Sequence, residues 1–393
     1  MTTDRYAHKT ICLPSNTIAH NWTPTHPDPP RAILILQHGF GEYAQRYVDS
    51  HARLIPALIE RNIDVWALDL EGHGRSPGEN GRGVVDVERA VREHVWLCGY
   101  VAGIYSNGGG GGDDGDGHGT EGSTEDQTKQ AGEDGRSKQP PRTQANEQAK
   151  GIAQRPPIFL FGHSLGGLVT AASATTLLAA SRAPTAKTPD TAITIPTIQI
   201  RGLILTSPAL PLPGLTPMHR LKALALYLLA RALAYLFPSR QVPWPASPDG
   251  TLCGDAEEER RVAEDGVMFH GQISWTVAAT AMGAVRGVWR GIRREVWEST
   301  TTKKGQSGRE VDVLVLHGRG DCWTDWRASF CFVEGIRRSH GEAGAGARVP
   351  EGMEASGAEL CILETPYHEL LNAGGSEGQQ VLGQILQWIE ERI

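Results

Sequence analysis

The run Ile158-Phe159-Leu160-Phe161, then Gly162-His163-Ser164-Leu165-Gly166, then an apolar helix-like segment from Leu168 to Ala180 restricts the fold of this chain more than any other feature. Strand, sharp turn and helix with a serine at the apex make a nucleophile elbow. The turn strains the serine backbone, so the residues two positions away must be small or their side chains would strike the strand or the helix. Gly162 and Gly166 meet that need. With 47 glycines in the chain, chance supplies on the order of 0.3 matches to G-x-S-x-G, and a second match exists at Gly74-Arg75-Ser76-Pro77-Gly78. There the residue after serine is proline, which has no N–H, whereas the residue after a nucleophile must donate one to the oxyanion. No apolar helix follows Ser76, so Ser164 is retained and Ser76 is rejected.

Apolar runs at 32–37, 64–68, 158–161, 200–206, 311–316 and 360–363 alternate with helical patterns at roughly 43–60, 85–105, 168–180, 325–338 and 378–393. The runs are apolar throughout rather than at every second residue, which indicates parallel strands covered on both faces. The fold class is α/β. Cys12–Leu13 and Thr17–Trp22, around a Pro-Ser-Asn turn, add a candidate antiparallel hairpin at the sheet edge.

Residues 106–155 interrupt the alternation: from Ser106 to Gly151 there is no Val, Ile, Leu, Met, Phe, Tyr or Trp. Such a segment buries too little surface to offset its ordering entropy, and it reads as a disordered low-complexity insertion. A smaller one runs from His340 to Gly357. Residues 210–302 read as helical and fall between two strands, the expected place for a cap over the C-terminal edge of the sheet. The expected organisation is a core of 1–209 and 303–393 with a cap of 210–302.

A serine hydroxyl needs a histidine to take its proton and an acid to orient that histidine. After an elbow serine, the acid and then the histidine follow in chain order at the ends of later strands. His340 lies in a Gly/Ala-rich loop, whereas His368 follows the strand 360–363, so His368 is preferred. Asp321 ends the turn after Val313-Leu314-Val315-Leu316 and is the favoured acid, with Asp325 as the fallback. The loop His38-Gly39-Phe40-Gly41 can aim the Phe40 N–H at Ser164, and Leu165 supplies the second oxyanion donor. His38, His73, His163 and His317 read as hydrogen-bonded turn residues.

A net charge of −7 gives no reason to expect nucleic acid as a partner. Six scattered cysteines read as free thiols, with no metal-ligand spacing among them. Met1 to Tyr6 lacks the apolar core of a secretory signal, so a cytoplasmic location is expected. The longest apolar stretch, Leu221 to Phe237, carries Lys222 and Arg231 and is too short and too charged to be expected to span a bilayer.

His38-Gly39-Phe40-Gly41-Glu42 with Arg46-Tyr47, Asp69 to Ser76, Gly162 to Gly167, Leu316-His317-Gly318 with Asp321, and His368-Glu369 together resemble the monoacylglycerol lipase and lysophospholipase branch of the α/β-hydrolases. The likeness covers about Arg31 to Tyr105 and Pro156 to the C-terminus. It implies an α/β-hydrolase fold with a helical cap, a triad of Ser164, Asp321 and His368, oxyanion donors at Phe40 and Leu165, and no cofactor or metal. Cys322-Trp323 departs from the family, which usually has a simpler apolar pair after the acid.

In the cap, Leu226, Leu229, Leu233 and Leu236 share one helical face, with Arg220, Tyr227 and Arg231 opposite. The leucines are candidate substrate-binding residues that line an acyl site, rest on a lipid surface, or simply pack on the core. A capping box is expected at Asp255 with Glu258; acids at 257–259 would alternatively hold a substrate amine. The expected activity is hydrolysis of a lipid-like ester, monoacylglycerol or lysophospholipid. The alternatives are another carboxylesterase, a thioesterase, an aminopeptidase, or a ligand-binding protein on the same scaffold.

Overall fold

A computed structural model describes residues 6–106, 155–182, 198–212, 217–243, 250–297, 301–302, 306–307, 311–339 and 357–393. The central sheet contains β1 (Tyr6–Cys12), β2 (Ile18–Pro24), β3 (Ala32–Gln37), β4 (Ile63–Leu68), β5 (Ile158–His163) and β6 (Ile200–Thr206). Thr301–Thr302 (β7) and Gln306–Ser307 (β8) form a separate two-stranded ribbon, and β9 (Asp312–Gly318) and β10 (Ala358–Leu363) complete the sheet. Its order is β1-β2-β4-β3-β5-β6-β9-β10. Only the β1–β2 and β2–β4 pairs are antiparallel; every other pair in the large sheet is parallel.

The uniform apolarity of the inner strands follows from double coverage. Ile33 and Ile35 of β3 enter one buried cluster with α3 (Val87–Ser106) and α4 (Ser164–Arg182), while Leu34 and Leu36 enter another with α2 (Leu54–Ile59) and α9 (Glu377–Glu390). Each such side chain contributes about 1.5–3 kcal/mol by leaving water. The N-terminal hairpin is present and longer than the sequence indicated, pairing Tyr6 with Pro24 through Cys12 with Ile18.

One helix departs from expectation. The pattern at 43–60 is broken into α1 (Arg46–Asp49) and α2, with Ser50 extended and Arg53 left-handed at φ 49°. Pro56 explains the break: it cannot donate to a preceding turn, but it is tolerated in the first turn of a new helix.

Between β6 and β9 the chain forms α5 (Pro217–Leu236), α6 (Ala256–Glu264) and α7 (Trp275–Arg293). Ser274 caps α7 by accepting from the Val277 N–H at 3.3 Å. Val277, Val285, Val288 and Trp289 then join the buried cluster of α3, α4 and α8 (Trp326–Ser339). Gly291 allows the close approach, because a Cβ there would lie 2.2 Å from Thr175. α5 lies on α7 with Ala230 buried, the Arg286 guanidinium over the Tyr227 ring, and Arg231 paired with Glu88 at 3.3 Å. Its leucines point outward instead: Leu226 and Leu229 are 56 % and 55 % exposed, and Leu233 is half-buried.

Asp255 caps α6, accepting from the Glu257 and Glu258 N–H groups, but the reciprocal bond of a capping box is not made. Glu258 is drawn into the interior by Arg46, 3.1 Å away, and Glu259 accepts from the Cys253 and Gly254 N–H groups instead. All six cysteines are free. Among the described residues one helix, α4, is long and apolar enough to cross a membrane by length and composition, and it is the mostly buried helix behind the elbow. Most of the expected insertion, residues 107–154, lies outside the described residues, as does most of the smaller one at 340–356.

Candidate active site

Ser164 opens α4 directly from the end of β5 with φ 51°, a left-handed conformation that costs a non-glycine residue of order 1–3 kcal/mol. The turn closes because the residues two positions to either side lack side chains. A Cβ on Gly166 would lie 2.3 Å from the carbonyl oxygens of Gln37 and His38, and one on Gly162 2.6 Å from the Gly166 oxygen. The loop after β3 packs equally closely, with a Gly39 Cβ falling 3.1 Å from that of Ser164. Gly39 therefore sits against Ser164, and Phe40 follows it, its ring edge-on to His73 and to Phe269 of the α6–α7 connection. That connection is tied to the loop by a Phe269 N–H to Gly41 carbonyl bond of 2.9 Å.

Ser164, His368 and Asp321, from the ends of β5, β10 and β9, converge. Ser164 Oγ lies 2.9 Å from His368 Nε2, and His368 Nδ1 lies 2.8 Å from Asp321 Oδ2. A carboxylate only accepts, so Nδ1 carries the proton and Nε2 is free to accept from the serine hydroxyl. The His368 loop is held by the α5–α6 connection: its N–H faces the carbonyls of Thr251 and Leu252 at 3.2 and 3.0 Å.

Asp321 is fixed by the Trp323 N–H at 2.7 Å, the Thr324 N–H at 3.2 Å and the Thr324 hydroxyl at 2.8 Å. Burial opposes its ionisation, but hydrogen bonding from His317 and His368 outweighs that and holds its carboxyl well below the usual carboxylate range. Asp325, the fallback acid, instead accepts from the Arg327 N–H at the start of α8. His340 lies outside the described residues.

Three histidines do more than the turn role read from sequence. His317 is fully buried under the acid, with Nε2 3.4 Å from Asp321 Oδ2 and Nδ1 2.8 Å from the Ser329 hydroxyl. His163 lies beside the base, with ring centroids 4.9 Å apart, and its Nε2 is 3.7 Å from Glu42. Burial lowers the His163 pKa, against the opposing pull of Glu42. His73 bonds a local carbonyl, as a turn role requires, whereas His38 bonds the Gly39 carbonyl through Nδ1 and accepts from the Leu70 N–H at 3.0 Å through Nε2, tying the loop after β3 to the loop after β4.

Behind His163 lies a buried network that sequence reasoning did not find. Arg46 makes a two-pronged contact with Glu369 at 2.8 and 2.6 Å and further bonds to Glu42 at 3.0 Å and Glu258 at 3.1 Å. Glu42 also accepts from the Gly39 N–H and the Tyr47 hydroxyl. Burial opposes the ionisation of Glu369, and the Arg46 charge overcomes it, pulling its pKa down. Glu42, His163 and Glu369 bring potential ligand atoms within 4.8 Å of one another, but the cation among these carboxylates is the Arg46 guanidinium. Glu42 and Arg46 are one helical turn apart and, with Glu369, stand in the motifs quoted above, but nothing in the spacing joins them to Glu258 or to Glu369, 212 and 323 positions from Arg46.

The rejected Ser76 is buried, donating to the Asp69 carbonyl at 2.7 Å and accepting from the Ile18 N–H at 2.8 Å. Leu226, Leu229 and Leu233 lie on the outer helix α5.

A family model described as serine aminopeptidase, S33, matches residues 28–100 and 114–373. Among solved structures, the chain is similar to a monoacylglycerol lipase of Paleococcus ferrophilus, at 20% identity and TM-score 0.55 over 99% of both chains. It is also similar to a thermostable carboxyl esterase of Bacillus coagulans in complex with glycerol, at 14% identity and TM-score 0.59 over 99% of both. A monoglyceride lipase of Saccharomyces cerevisiae, bound to a substrate analogue, aligns at 15% identity and TM-score 0.55 over 100% of this chain and 97% of that one. The open, mostly parallel sheet, the serine at its elbow and the extent of the family match agree: the chain belongs to the S33 serine aminopeptidase family of α/β-hydrolases.

Proposed function

We propose that the protein is a serine hydrolase of carboxylic esters with an apolar acyl chain, of the monoacylglycerol or lysophospholipid class. The observation that carries the reading is the unbroken line Ser164 Oγ, His368 Nε2, His368 Nδ1, Asp321 Oδ2, with contacts of 2.9 and 2.8 Å. His368 takes the hydroxyl proton as Ser164 Oγ bonds to the ester carbonyl carbon. The Phe40 and Leu165 N–H groups stabilise the oxyanion. Its collapse expels the alcohol, which His368 protonates, and water activated by the same histidine releases the acid and restores Ser164.

The acids at 257–259 favour an ester over an aminoacyl amide. Glu257 pairs with Arg260, Glu258 with Arg46, and Glu259 with backbone N–H groups, so each is already engaged. The outward leucines of α5 support docking on a lipid surface from which such esters are drawn, each half-exposed leucine gaining about 1 kcal/mol on completing its burial there.

Labelling by a fluorophosphonate, followed by hydrolysis of monoacylglycerols, lysophospholipids and short p-nitrophenyl esters, tests the reading. Labelling abolished by Ser164→Ala and a preference for long acyl chains are expected. Failure to label, or an optimum at the shortest esters, removes the serine mechanism or the lipid substrate respectively. L226E with L229E is expected to weaken vesicle co-sedimentation while sparing hydrolysis of a soluble ester; unchanged sedimentation rejects the docking.

A further inference from the structure

Trp323 touches both the acid and the base of the site. Its backbone N–H donates to Asp321 Oδ1 at 2.7 Å, while its indole lies nearly parallel to the His368 imidazole, with centroids 5.6 Å apart and planes 20° apart. His368 is only 4 % exposed, yet Trp323 remains 50 % exposed. Core packing does not account for this placement, since half of a large apolar surface is left in water.

The chemistry supplies a reason. When Ser164 transfers its proton, the His368 ring becomes an imidazolium. The Asp321 carboxylate meets that charge in the plane of the ring. An indole stacked within about 6 Å offers its electron-rich face to the same cation.

We propose that Trp323 is a positioning residue for His368, orienting the imidazole from its face and favouring the imidazolium formed during acyl transfer. This rests on Ser164 being the nucleophile. The other ionisable groups around the ring are Asp321, His163 and, beyond these, His317, Glu42, Glu369 and Arg46, with Cys322 in the same turn as Asp321. The segment packed above, Thr251 and Leu252, presents backbone carbonyls. None of these groups is altered by replacing the indole.

The rate at which a fluorophosphonate labels Ser164, followed across pH, reads the effect without knowledge of the substrate. In Trp323→Leu the acid limb of the profile is expected to move to lower pH by about half a pH unit and the plateau to fall about threefold. Trp323→Phe, which keeps a weaker aromatic face, is expected to fall between Trp323→Leu and the unaltered protein. A Trp323→Leu profile that superimposes on that of the unaltered protein, or a limb displaced to higher pH, overturns the inference. If Trp323→Leu fails to fold, Trp323→Phe decides: a limb displaced to lower pH supports the role and an unchanged profile removes it. Unaltered protein that does not label at all removes the hydrolase reading instead, so the two failures are told apart.

Discussion

The loop after β4 and the elbow after β5 flank the same strand, carry the same G-x-S-x-G spacing, and each adjoins a buried contact between an aspartate and a histidine. At the first, Asp69 Oδ2 meets His20 Nε2 at 3.0 Å; at the second, Asp321 Oδ2 meets His368 Nδ1 at 2.8 Å. The arrangement of the serine separates them. His368 has its second nitrogen on Ser164, whereas His20 has its second nitrogen on His8 at 3.1 Å, and Ser76 bonds only backbone partners. The glycines differ in the same way. Gly166 lets the elbow pass beneath two carbonyls, while Gly74 makes room for the Asp69 carboxylate, whose oxygen would lie 2.2 Å from a Cβ there. One loop uses its polar groups to tie the hairpin to the sheet; the other leaves a hydroxyl facing an imidazole nitrogen.

The comparison breaks most visibly in activity. Ser164→Ala is expected to lower ester hydrolysis by about 10⁵-fold or more, while Ser76→Ala stays within about twofold, as read from kcat/KM on a soluble ester. A loss of activity in Ser76→Ala at full occupancy of the folded state would dissolve the distinction.

Next in size is Gly166→Ala, which forces a methyl against two carbonyl oxygens. A loss of about 3 kcal/mol or more in urea unfolding is expected; a smaller loss would mean that the elbow relaxes.

Asp69→Asn follows, at about 2–3 kcal/mol. Burial opposes ionisation of Asp69, and hydrogen bonding from His20 with the neighbouring His38 outweighs it, lowering its pKa. A carboxyl depressed in the folded state adds stability that is fully present above its unfolded value near pH 3.9 and fades as the pH falls below it. Unfolding free energy of the unaltered protein is therefore expected to drop more steeply than that of Asp69→Asn between about pH 5 and pH 3; parallel slopes would show that Asp69 is not the group responsible.

The smallest effect is the stability cost of Ser76→Ala, about 1–2 kcal/mol for the two hydrogen bonds lost, measured in the same titration.

Much of this arrangement was readable in the chain because it depends on local constraints. Parallel strands wrapped on both faces must be apolar at every position, and Ile33 to Leu36 are. Pro77 disqualifies Ser76 without reference to any neighbour. Where the outcome depends on a distant partner, the local pattern misleads. Glu258 stands where a capping box wants it, but Arg46, 212 positions away, takes it. His163 and His317 look like turn residues until the fold puts one beside His368 and the other beneath Asp321. The leucine stripe of α5 gives a face but no direction, and the inward face is the one with Tyr227 against Arg286 of α7, buried Ala230, and Arg231 paired with Glu88 of α3.

Ser164 and His368 are 204 positions apart, and they meet only when β9 has paired with β6 and β10 with β9. Parallel pairings of such long sequence separation close large loops and are slow to form. With Ser164 as the proposed nucleophile, reactivity towards a fluorophosphonate would serve as a clock for refolding: after dilution from denaturant, helical signal is expected to return first and covalent reactivity last, when the edge strand completes the sheet.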